Sequence, residues 1–84
     1  MTELIAPPRI VRVRTDSEGS PTHLESAAGW QPVSRVLNSW RIDCDWWRSP
    51  VSREYWRVLL ADELAIECYC DRLTGQWFVE RVYD

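Results

Sequence analysis

Residues 64–70, "LAIECYC", set Leu64, Ile66, Cys68 and Cys70 at every second position, with Glu67 and Tyr69 between them and Asp71 following. A period of two belongs to a strand with one face on a core, because successive side chains leave a strand in opposite directions. The same period appears in "RIVRVRT" (9–15), where Val11 and Val13 oppose Arg12 and Arg14. Turn-forming clusters divide the rest: "DSEGSP" (16–21), "AAGWQP" (27–32), Asp62-Glu63 and "DRLTG" (71–75). A chain cut this often has little room for helix.

The expected fold is therefore all-β, a single small antiparallel meander of five or six strands, forming a curled sheet or small barrel. Residues 1–8, closed by Pro7-Pro8, read as a flexible lead-in, and 9–84 as one domain. Strands are expected at 9–15, 22–26, 33–43, 53–61, 64–70 and 76–83. Over 33–43, Val36, Trp40 and Ile42 share one parity, and Val33 and Leu37 interrupt it. A helix fits that length, but Val, Trp and Ile favour a strand. Residues 44–52, which include Pro50, read as a connection. Gly75 is expected to take a positive φ in the last hairpin loop.

A chain of 84 residues must draw its core from large side chains. Six Trp, three Tyr and one Phe are available, and each buries roughly 150–250 Å². The expected core is Val36, Trp40, Val58, Ile66 and Trp77. The aromatic stretch "SWRIDCDWWRSPVSREYWRVLL" (39–60) admits two readings. Its tryptophans belong to the core, with arginines laid over their edges. Alternatively Trp47, Arg48, Arg53, Trp56 and Arg57 form a contact face for a protein or for single-stranded bases. Adjacent residues of an extended segment point to opposite sides, so Trp46 is expected inward and Trp47 outward.

Charge narrows the partners. The net charge is −3, and all ten basic residues are Arg, as a GC-rich coding bias would produce. Residues 31–57 hold five Arg against three acids, and residues 58–84 two against six. An acidic chain is a poor duplex binder, because duplex affinity rests on many phosphate contacts. No apolar run approaches the length of a membrane span. The N-terminal residues lack the pattern of a signal peptide. With three cysteines, an odd number, the expectation is a cytoplasmic protein with reduced, metal-free thiols. Cys44, Cys68, Cys70 and His23 have ligand types that suit zinc, but their spacing matches no zinc pattern. No cofactor and no catalytic residue is expected, and the chain reads as non-enzymatic.

Four stretches carry a family resemblance: Trp40–Asp43 (W-R-I-D), the pair Trp46-Trp47, Pro50–Tyr55 (P-V-S-R-E-Y) and Asp71–Phe78 (D-R-L-T-G-Q-W-F). Together they resemble a small bacterial domain of unknown function that occurs as stand-alone proteins. They are also similar to the C-terminal segment of the catalytically inactive Y-family polymerase-like subunit of the bacterial mutasome. The likeness covers about residues 33–84. It implies an accessory of translesion synthesis acting through protein contacts, with polymerase subunits of the mutasome as partners. Weak single-stranded nucleic-acid binding is the alternative. Two features depart from the pattern. Glu63 stands where a glycine often follows the acid of that turn, and the three cysteines lie outside the motif.

Overall fold

The computed structural model describes residues 2–46 and 49–83, without the side chains of residues 2, 3, 6, 45, 46 and 49. It contains seven strands: β1 (Thr2–Val11), β2 (Val13–Thr15), β3 (Pro21–Ser26), β4 (Gly29–Trp46), β5 (Ser49–Leu60), β6 (Ala65–Asp71) and β7 (Trp77–Tyr83). They form one antiparallel sheet in the order β1-β7-β6-β5-β4-β3-β2. β1 and β2 lie on opposite edges of that order, yet only Arg12 separates them in the chain. One bent segment thus serves both edges, and the sheet must curl to allow it. The curl is a meander and does not close into a barrel.

Four expectations about the elements change. Residues 1–8 are not a lead-in, because β1 runs from Thr2 and pairs Thr2–Leu4 with Tyr83–Arg81. Residues 44–52 are mostly strand, because β4 and β5 form a long hairpin that continues to Trp46 paired with Ser49. The strand count is seven, the extra one arising because the N-terminal segment breaks into β1 and β2 at Arg12. The turns within 16–21, at Asp62-Glu63 and within 71–75 fall where the turn residues predict, but of 27–32 only Ala27 and Ala28 turn, and residues 29–32 already belong to β4, paired with β3. Gly75 has φ +79°, and its N–H donates to the Asp71 carbonyl at 2.7 Å. Glu63 has φ +67°, the left-handed value that glycine accepts without a steric penalty. This is the position where the resembled family often carries glycine.

The core lies on the inner face of the curl, where Leu24, Trp56, Val58, Leu60, Ile66, Cys68 and Val79 pack together. Val58 and Ile66 are buried as expected, and Trp77 is half-buried against them. Val36 is not core, since it remains 39% exposed. Trp40 is only half-buried and lies on the opposite face from Val36. Two bulges in β4 are the cause. The register runs Val33↔Leu60, then Arg35↔Leu59 and Val36↔Val58, then Asn38↔Arg57 and Trp40↔Tyr55. Each extra residue flips the side chains that follow it to the other face. Val36 therefore points with Val58 inward, and Trp40 points with Tyr55 outward. Val33 and Leu37, which interrupt the alternation in the sequence, lie at these two shifts.

Candidate interaction face

The outer face carries a row of rings that crosses four strands. Trp40 on β4 is the register partner of Tyr55 on β5. Tyr55 in turn faces Tyr69 on β6, and Tyr69 faces Phe78 on β7. Trp40 and Tyr55 stack with centroids 5.3 Å apart and planes 6° from parallel. Tyr55 and Tyr69 are tilted at 5.0 Å, and Tyr69 and Phe78 stack at 5.1 Å. Cross-strand aromatic pairs of this kind strengthen a sheet and fix its register. The two tyrosines are covered by their neighbours, whereas Trp40 and Phe78 at the ends stay half-open. Exposed aliphatics extend the row at both ends. Ile42, 39% exposed, stands two residues beyond Trp40, and Ile10, 63% exposed, pairs across from Phe78.

Arginines of β5 bracket the rings. Arg53 lies 4.6 Å from the Tyr69 centroid, and its Nη1 donates to the Tyr55 hydroxyl at 3.3 Å. That hydrogen bond is the main cause raising the Arg53 pKa above its ordinary value. Burial raises the Tyr69 pKa in turn. Arg57 lies 5.8 Å from the Trp40 ring and 5.1 Å from the Tyr83 ring.

Beside the rings, on the same face, is a carboxylate held by two cations. Glu67 is only 5% exposed. Arg57 Nη2 meets its Oε1 at 3.3 Å, and Arg81 Nε meets its Oε2 at 3.3 Å. Arg57 Nη2 also donates to the Tyr83 hydroxyl at 3.3 Å. A buried carboxylate is costly unless both oxygens find donors, and here each has one. Two of the face's arginines are therefore already committed within the chain.

Of the five contact candidates, the structure brings Arg53 and Arg57 together on the outer face. Trp56 does not join that face. It lies between them in sequence, so it points inward, where it is 9% exposed in the core. Its Nε1 is buried without a hydrogen-bond partner among the described residues. Trp47 and Arg48 lie outside the described residues, as does the side chain of Trp46, so the expected inward–outward division of that pair is not placed. Trp40, Tyr55, Tyr69 and Phe78 are the residues that sequence reasoning missed. Their strand parity was legible, but the cross-strand register that aligns them was not.

The cysteines separate. Cys44 is exposed on β4, Cys68 is buried, and Cys70 is intermediate. Burial pushes the Cys68 thiol up to about 12 and raises that of Cys70. Among the described residues no three His, Cys, Asp or Glu side chains converge on a metal position. A second cation–ring cluster lies on the β2–β3–β4 end, with Arg14 at 4.3 Å and Arg12 at 5.9 Å from the Trp30 centroid. Arg12 is also paired with Glu25 at 3.6 Å. Among the described residues no helix is long and apolar enough to cross a membrane. No protein family, curated protein or solved structure matches the chain.

Proposed function

We propose that the domain is a non-enzymatic, cytoplasmic interaction module that docks its outer aromatic face on a protein. The observation that carries this reading is the ring row itself, with half-open ends at Trp40 and Phe78 and exposed Ile42 and Ile10 in line with them. Half-buried aromatics beside exposed aliphatics have the composition of a contact patch. The setting comes from the sequence resemblance: an accessory of translesion synthesis, with polymerase subunits of the mutasome as partners.

Electrostatics weighs against the single-strand alternative. Strand binding needs cations left over for phosphates. Arg57 and Arg81 are taken by Glu67. Arg53, which contacts the rings, has no carboxylate partner among the described residues. The test is a titration of the domain with purified mutasome polymerase subunits and, separately, with labelled single-stranded DNA. Ile42→Asp should weaken the protein complex by about tenfold or more while leaving the fold intact. DNA binding that falls steeply between about 50 and about 200 mM salt, with no protein complex, would replace this reading with the alternative.

A further inference from the structure

We propose that the gap between β1 and β3 is a binding site for a small aliphatic carboxylate, on the core side of the sheet and meeting the outer row only at Ile10. It originates in the sequence, because Pro7 and Pro8 have no N–H to give to a ladder. The β1–β7 register accordingly jumps from Leu4↔Arg81 to Arg9↔Val79, so that residues 5–8 of β1 face only Glu80 of β7. The β1–β7 ladder is interrupted there. On the far rim, β3 is tied to this segment by the Glu25 N–H, which donates to the Arg12 carbonyl at 2.9 Å. Between the two rims lies a cavity of about 470 Å³.

Its interior is aliphatic, with Leu24, Leu60, Ile66, Val79 and Val82 among the lining residues, and its polar groups include Arg9, Glu25 and Gln31. Such walls offer water few hydrogen-bond partners, and unfilled apolar space forfeits dispersion contacts. The volume falls in the range of roughly 300–1,000 Å³ typical of small-molecule sites. Charge selects the head group. Glu25 is engaged by Arg12. Arg9 lines the cavity, is exposed, and has no carboxylate partner among the described residues. A guanidinium at the edge of an aliphatic cavity matches a carboxylate carried on a hydrocarbon chain.

The experiment is a titration of the methyl-labelled full chain with decanoate below its micelle concentration, beside decanol and acetate. Decanoate should shift the methyls of Leu24, Ile66 and Val79 and bind about tenfold tighter than decanol. Acetate should leave those methyls unmoved. Arg9→Gln should abolish the preference for decanoate over decanol. Ala27→Trp, at an exposed lining position, should exclude decanoate while preserving the native spectrum. Core methyls that stay unshifted in the folded wild type would overturn the site. Equal binding of decanol and decanoate, unchanged by Arg9→Gln, would overturn the anionic head group.

Discussion

The two faces of the sheet are built by different physics. The inner face is largely aliphatic, with Trp56 in the core and Trp77 half-buried against it, and Val58 and Cys68 there are fully buried. Its energy is non-directional burial, worth roughly 25 cal/mol per Å² of apolar surface. The outer face is held by ring stacks and the Glu67 clamp, which depend on register and angle. Its ends remain partly open to solvent. Removing a ring from the inner face leaves a hole. Removing one from the end of the outer row leaves a surface that can still be wetted. The first should be read in stability and the second mainly in binding.

The contrast breaks most visibly at Trp56. Trp56→Ala should cost about 3–5 kcal/mol in a urea titration, as large-to-small core changes do. A loss below about 1 kcal/mol would mean that the inner face is not the main core. Next comes Glu67→Gln, which keeps the shape and leaves Arg57 and Arg81 facing a neutral amide. Both arginines are partly solvated, so the expected cost is about 1–3 kcal/mol, near that of hydrogen bonds to charged groups. A variant as stable as the wild type would make the clamp energetically idle.

The thiols sharpen the same contrast through pH. Burial raises the Cys68 pKa in the folded chain from an ordinary value of 9.0 to about 12. The folded state therefore keeps a proton that the unfolded state releases. This contribution is fully present below pH 9 and is lost as pH rises toward 12, at about 1.4 kcal/mol per pH unit. Thermal unfolding across that range, with Cys68→Ala as control, should show a shallower alkaline decline in the variant. The smallest effect expected is at Glu63, strained at φ +67°. Glu63→Gly should stabilise the domain by up to about 1 kcal/mol, the relief of left-handed backbone set against the entropy of glycine. Calorimetric melting reads it directly.

The sequence shows strand parity well and register hardly at all. The alternation in 64–70 separates Ile66 and Cys68 from Glu67 and Tyr69, and the structure keeps that division. The turns before Pro21, at Asp62-Glu63 and at Gly75 are found where their residues suggest, whereas the one expected at 27–32 shrinks to Ala27-Ala28 because residues 29–32 pair with β3. Parity fails where a bulge intervenes. Val36 and Trp40 have the same parity but opposite faces, because one extra residue near Leu37 reverses the strand. The interruptions at Val33 and Leu37 mark those bulges, yet in the sequence they read as noise. The ring row was hidden for a related reason. Trp40, Tyr55, Tyr69 and Phe78 become neighbours only once three hairpin registers are fixed, and a single chain pattern does not specify them. The N-terminal strand was hidden by Pro7-Pro8, which signals a break but not that pairing resumes on either side of it.

Whether the outer row is a contact surface while the inner face is the core is decided by comparing Trp40→Ala with Trp56→Ala. Each variant is measured for unfolding free energy and for affinity toward the mutasome polymerase subunits under conditions where it is folded. Trp40→Ala should lose only about 1–2 kcal/mol of stability, the value of an end stack with partial burial, and weaken the complex by about tenfold or more. Trp56→Ala should lose about 3–5 kcal/mol, with the affinity of its folded fraction near wild type. Equal destabilisation by both substitutions, with affinity unchanged in either, would make the ring row a second core and contradict the assignment.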